Sequence, residues 1–216
     1  MGCWRNFPVP APNFDLYLVT DRNQTGGRDL LWVVEQSLKG GLKAVQLREK
    51  DLSGKELFVL AQRMRELSQR YQALLFINDR VDVALAVDAD GVQLGEASIP
   101  IKDARMLLGQ DKLIGASTHS QREAEGAQQS GADFVLFGPV YFTPSKAPYG
   151  APQGIEPLKK IVEKISLPVY AIGGINASNI DPTKRTGVAG IALISAVMNA
   201  SDPKSATEEI LDSFRD

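Results

Sequence analysis

Eight short runs of apolar and β-branched residues recur along the chain, at 16–20, 44–47, 74–77, 91–94, 113–116, 134–137, 169–172 and 190–194. Most are continuous rather than alternating, which is the pattern of parallel strands covered on both faces. The segments between them carry helix signals. Leu30, Val34 and Leu38 recur at i, i+4 and i+8, and Gly40-Gly41 stops that helix. Ser53 with Glu56 spells a capping box ahead of the apolar face Leu57, Leu60, Ala61, Met64 and Leu67. Ser120 with Glu123 repeats the box, and Asp202-Pro203 opens the last helix with proline at its first position.

Strands alternating with helices allow an open doubly wound sheet or a closed barrel. The open sheet would carry a glycine-rich fingerprint in its first strand-to-helix turn, but that turn reads Asp21-Arg22-Asn23-Gln24-Thr25-Gly26-Gly27. The glycine and hydroxyl turns follow the seventh and eighth strands instead, where barrels hold phosphate. The predicted fold is therefore α/β, one (β/α)₈ TIM barrel. It forms a single domain over 14–216, behind an irregular lead-in at 1–13 marked by Pro8, Pro10 and Pro12.

A formal charge of −2 argues against nucleic acid or an anionic membrane as partner, so any anion site must be built locally. No apolar stretch approaches the ~20 residues of a membrane span. Cys3 is the sole cysteine and excludes an intramolecular disulfide. With no signal-peptide pattern at the start, a cytoplasmic setting is expected. The sequence leaves open whether the chain acts alone or as a homo-oligomer.

Polar residues cluster where strands end. Gln46, Arg48 and Lys50 share one face at period two, and two cations with an amide at a barrel mouth suit a diphosphate. Asn78-Asp79 ends the third strand, where Asp79 reads equally as a Mg²⁺ ligand or as the cap of the helix starting near Val81. His119, the sole histidine, lies in Ser117-Thr118-His119-Ser120 and reads either as an acid–base group or as a packing neighbour of Ser120. The proline- and glycine-rich stretch 138–154 reads as a binding loop. Gly173-Gly174 and Ile194-Ser195-Ala196 offer backbone N–H groups to a phosphate.

Seven motifs in register, VQLREK, INDR, DGVQLG, STHS, GPVYFTPSK, AIGGI and ALISAV, resemble the thiamine phosphate synthase family from about Leu16 to Val197. The resemblance implies small-molecule substrates, a pyrimidine diphosphate and a thiazole phosphate, joined with release of pyrophosphate. It also implies a dissociative path and Mg²⁺ as cofactor. Gln46, Leu47, Arg48, Glu49, Lys50, Asn78 and Lys146 would hold the pyrimidine diphosphate, with Ser117 at the pyrimidine amino group. Thr143, Pro144, Ser145, Gly174, Ile194 and Ser195 would hold the thiazole phosphate. Lys146, Arg48 and Ser117 would carry catalysis, and Asp79 would ligate Mg²⁺.

The chain departs from the family pattern at three places, one of them Ser145, which stands where the family has threonine and keeps the hydroxyl. Ser98 stands where the family places a second metal carboxylate, and a hydroxyl is the poorer ligand for a hard dication. The frequent histidine of the fourth strand is Gln93, a change read from sequence as minor. Two rival readings follow: a related thiazole tautomerase using His119 as general acid–base, and a non-catalytic barrel that binds thiazole phosphate.

Overall fold

The computed structural model describes residues 12–143 and 151–216. Its strands are β1 (Leu16–Val19), β2 (Ala44–Leu47), β3 (Leu74–Asn78), β4 (Gly91–Leu94), β5 (Leu113–Thr118), β6 (Phe134–Phe137), β7 (Val169–Ile172) and β8 (Gly190–Leu193). Each pairs in parallel with the next, and β8 pairs with β1 to close the barrel. The helices are α1 (Leu30–Lys39), α2 (Gly54–Arg70), α3 (Val81–Ala86), α4 (Ile101–Leu108), α5 (Gln121–Gln129), α6 (Ile155–Lys164), α7 (Ile180–Lys184), α8 (Ser195–Met198) and α9 (Pro203–Arg215). This is the expected TIM barrel. Residues 1–11 of the expected lead-in lie outside the described residues.

Alternate strand residues divide into two apolar cores. Leu16, Leu18, Val45, Leu47, Leu75, Ile77, Ile114 and Ile191 point outward and pack with helix residues such as Val33, Val34, Met64 and Leu158. Tyr17, Ala44, Phe76, Leu113, Phe134, Tyr170 and Ala192 fill the interior. Burial on both faces explains why the strands read as continuous apolar runs.

The interior rings fit because glycines face them. A Cβ on Gly91 would lie 2.8 Å from the Phe76 ring, and one on Gly190 would lie 2.7 Å from the Tyr170 ring and 2.6 Å from the Asp15 carbonyl. The rings pack edge to face, with centroids 5.2 Å apart for Tyr17–Phe76 and 5.4 Å for Phe76–Phe134. Gly190→Ala should therefore cost about 3 kcal/mol, the upper end of the usual overpacking range, because one obstacle is main chain and cannot rotate away. A denaturation midpoint equal to that of the wild type would show that the barrel accommodates the methyl.

At the N-terminal end of the barrel, aspartates that precede strands bind both helices and neighbouring strands. Asp90 accepts from Arg65 of α2 at 2.6 Å and from the Leu75 amide at 2.8 Å. Asp133 accepts from Arg105 of α4 at 2.5 Å and from the Ile114 amide at 2.6 Å. Arg215 of α9 reaches Asp15 at 2.8 Å. A cavity of about 190 Å³ at this end is lined by Phe14, Asp15, Lys43 and Arg215. These ties serve stability, which leaves the opposite rim for chemistry.

Candidate active site

At the C-terminal end of β1, Thr20 is fully buried and links two loops. Its hydroxyl donates to Glu49 Oε1 at 2.6 Å and accepts from the Arg48 amide at 2.9 Å. Glu49 also accepts from the Arg22 amide at 3.1 Å and from Arg22 Nη1 at 3.3 Å. Arg22 then grips Asp51 through both terminal nitrogens at 2.6 Å, and this pairing holds the Asp51 carboxyl below its ordinary range. The Arg22 charge is thus compensated. Arg48 is half-buried at the rim, and among the described residues its guanidinium has no hydrogen-bond or ion-pair partner.

Gln46 occupies the inward position before Arg48, buried, with its Nε2 donating to the Tyr17 phenol at 3.4 Å. Burial pushes the Tyr17 phenol well above its usual pKa, so it stays neutral. Three neighbours differ from expectation in placement. The Leu47 side chain packs outward against the helices, which leaves only its main chain toward the rim. Glu49 is committed to the Thr20–Arg22 tie. Because β2 ends at Leu47, its alternation does not extend to Lys50, which lies exposed in the following turn.

Beyond β3, Asp79 adopts φ 60°, in the left-handed region. This turns its carboxylate away from α3, whose N-cap is Arg80 with no side-chain capping bond. The carboxylate instead accepts from Asn78 Nδ2 at 2.6 Å and, on its other oxygen, from the Ser98 hydroxyl. Ser98 Oγ in turn accepts from the Gly95 amide at 2.7 Å. Of the two readings of Asp79, capping is therefore not the one adopted. Asn78, Asp79 and Ser98 form one polar cluster whose carboxylate and hydroxyl oxygens are hard donors of the kind Mg²⁺ takes. Among the described residues no group of three or more His, Cys, Asp or Glu side chains gathers in a metal-binding arrangement.

Ser117 is the inward residue near the end of β5, half-buried, and its hydroxyl accepts from Gln93 Nε2 at 3.1 Å. His119 is exposed, and its Nδ1 lies against the Gly138 carbonyl. A carbonyl only accepts, so Nδ1 carries the proton and Nε2 is the open nitrogen. The second capping box forms by half. Ser120 Oγ accepts from the Glu123 amide at 3.2 Å, but Glu123 returns to the His119 amide at 2.8 Å.

After β7 and β8 the chain makes the two turns suited to phosphate. Gly173 and Gly174 have φ of 99° and 67°, and the β6 loop crosses directly over them. A Cβ on Gly173 would lie 2.6 Å from Pro139 Cα, and one on Gly174 would lie 2.5 Å from the Phe142 carbonyl. Both the backbone conformation and the space require glycine here. Ile194 is the N-cap of α8 and Ser195 its first residue, exposed at the rim. Arg28 caps the other end of α8, donating to Met198 O at 3.0 Å and Ala200 O at 2.6 Å. Thr143 is half-buried on the β6 loop. Pro144, Ser145 and Lys146 lie outside the described residues.

Arg48, the Asp79 cluster, Ser117 and the turns at Gly173-Gly174 and Ile194-Ser195 thus all stand at the C-terminal ends of strands. A family model described as thiamine monophosphate synthase matches residues 16–197, which span all eight strands. The chain belongs to the thiamine monophosphate synthase family. It is 44% identical over 198 residues to a thiamine-phosphate synthase of Clostridium novyi, covering 92% of this chain and 97% of that one. It is 53% identical over 199 residues, 92% and 93% of the two chains, to a Geobacter sulfurreducens protein provisionally named as the same enzyme. Among solved structures it is similar to a thiamine phosphate pyrophosphorylase from Pyrococcus furiosus. The TM-score is 0.86 and the identity 43%, covering 94% of this chain and 96% of that one. A 3-hexulose-6-phosphate synthase, at TM-score 0.68 and 16% identity over 92% and 99% of the two chains, shares the barrel alone.

In this thiamine monophosphate synthase family member, one feature of the site leaves no trace in the sequence and a second reads there as minor. Thr20 reads as the last residue of an apolar strand, and nothing in its neighbours signals the tie to Arg48 and Glu49. Gln93 does leave a signal, an amide at an inward strand position, and it proves to be the only side chain hydrogen-bonded to Ser117 among the described residues.

Proposed function

We propose that this chain joins a pyrimidine diphosphate to a thiazole phosphate, forming thiamine phosphate and pyrophosphate. Family membership carried by a match through every strand is the observation that most supports this reading. In the proposed reaction the bond from the pyrimidine methylene to the diphosphate oxygen breaks first, and its electron pair leaves with pyrophosphate. The thiazole nitrogen then gives its lone pair to the methylene carbon. No side chain need act as nucleophile, so the protein contributes position and charge stabilisation.

In this reading Arg48, Lys50 and Lys146 meet the diphosphate oxygens, with Gln46 and Asn78 as neutral donors. Ser117 meets the pyrimidine. Thr143, Ser145 and the main chain at Gly174, Ile194 and Ser195 meet the thiazole phosphate. Asp79, with Ser98 beside it, would hold Mg²⁺, which when bound neutralises charge on the departing diphosphate. One carboxylate and one hydroxyl suit an ion that completes its shell from substrate oxygens and water. A cytoplasmic setting accords with Cys3 as the sole cysteine.

His119 separates this reading from a tautomerase. In a synthase no step needs proton transfer by histidine, so His119→Asn should retain most of the coupling rate. As a tautomerase the same variant would lose roughly 10²-fold or more of its isomerisation rate, the scale of a general acid–base group. Assaying both reactions on wild type and variant decides the matter. A coupling rate lowered 10²-fold by His119→Asn would contradict the mechanism proposed here.

A further inference from the structure

Gln93 is 1% exposed inside the barrel, paired in register with Asn78 on one side and Gly115 on the other. Its Nε2 donates to Ser117 Oγ, while its Oε1 is buried with no hydrogen-bond partner. Such an orphan carbonyl is a standing cost to the fold, since burial strips it of water and returns no partner. The carboxamide lies across Gly115, the β5 residue paired with Gln93, and a Cβ there would overlap Oε1. Gly115, which has no side chain, thus leaves room both for this amide and for the Phe134 ring, which a Cβ would also overlap, and the amide reaches Ser117, two residues nearer the mouth. A position that served packing alone would be better filled by methionine or leucine, which leave no orphan.

We propose that Gln93 is a positioning residue that sets the hydrogen-bonding state of Ser117 for the pyrimidine ring. A serine hydroxyl has two lone pairs and one hydrogen. Gln93 approaches from the barrel floor and occupies one lone pair. The other lone pair and the hydrogen are then left for the mouth. That pair matches an aminopyrimidine edge, where an amino donor sits beside a ring-nitrogen acceptor. Without Gln93 the Ser117 hydroxyl can rotate and spend its hydrogen elsewhere. The inference rests on the synthase reading of the site.

The experiment compares wild type, Gln93→Met, Ser117→Ala and the double variant. It measures steady-state coupling, with the pyrimidine diphosphate and with its analogue lacking the amino group, and thermal unfolding. Gln93→Met nearly preserves volume and removes the orphan carbonyl. Its Tm should equal or exceed that of wild type. Its kcat/KM for the pyrimidine diphosphate should fall about tenfold, the scale of one hydrogen bond, with KM for thiazole phosphate unchanged. Preference for the amino substrate should shrink equally in Gln93→Met and Ser117→Ala, and the double variant should be no worse than Ser117→Ala.

Unaltered kcat/KM in Gln93→Met, additive losses in the double variant, or a Met variant that is destabilised or unfolded would each overturn the inference. The last outcome would make Gln93 a structural residue. Failure of the synthase reading is separately visible, because wild type would then form no thiamine phosphate from the pyrimidine diphosphate and no pyrophosphate from either pyrimidine.

Discussion

Replacing Lys146 with alanine should lower kcat by about 10²–10³, the usual cost of removing one preorganised group that faces developing charge. In the dissociative path negative charge grows on the leaving diphosphate as the bond breaks, so the ammonium acts mainly in the transition state. Affinity for thiazole phosphate, whose proposed contacts are the Gly174 and Ser195 turns, should change little. Steady-state kinetics with each substrate varied in turn reads both quantities. A variant with normal kcat would remove Lys146 from the mechanism. A variant with normal kcat and raised KM for the pyrimidine would reduce it to ground-state binding.

The second large effect concerns the Asp79 cluster. Asp79→Asn should leave little activity at any practical Mg²⁺ concentration, because it removes the only carboxylate in that cluster. Ser98→Asp should act in the opposite sense and lower the Mg²⁺ concentration needed for half-maximal rate. The geometry sharpens this expectation. Ser98 Oγ already lies against Asp79, so the substitution sets two carboxylates together that repel each other until a cation sits between them. Ser98→Asp should therefore be less stable than wild type without Mg²⁺ and should regain stability as Mg²⁺ is added. Wild type, with one carboxylate, should bind free Mg²⁺ weakly and take it up mainly with the diphosphate. The check is a Mg²⁺ titration of coupling rate and of Tm for all three proteins. Unchanged or weaker Mg²⁺ dependence in Ser98→Asp would show that Ser98 does not stand at the metal.

Much of the barrel is legible in the sequence because burial on both faces leaves no alternation to misread. β2, β4, β6 and β7 begin and end where their apolar runs do. β3 and β5 run past theirs, into Asn78 and into Ser117-Thr118, because ladder hydrogen bonds continue into polar residues. The box at Ser53 forms as spelled. At Ser120 the same letters give half a box, since Glu123 takes the His119 amide instead of the Ser120 amide.

The site is less legible, for physical reasons. Period two places Lys50 inside only if β2 continues, but buried Glu49 is held by Thr20 and Arg22, and the strand stops short. The choice between cap and cluster for Asp79 depends on a positive φ that no local motif announces. Gln93 draws its meaning from its bond to Ser117 on the next strand, a relation between residues more than twenty positions apart. Leu47 and Glu49 belong to a motif whose side chains alternate between wall and rim, so membership in the motif does not tell which of them can touch a ligand.

The central claim is tested most directly by one measurement. Purified wild-type protein is mixed with the pyrimidine diphosphate, thiazole phosphate and Mg²⁺, and thiamine phosphate and pyrophosphate are quantified over time. The account predicts equal amounts of the two products, formed catalytically and only when both substrates and Mg²⁺ are present. Thiazole phosphate bound or isomerised without formation of thiamine phosphate would contradict it.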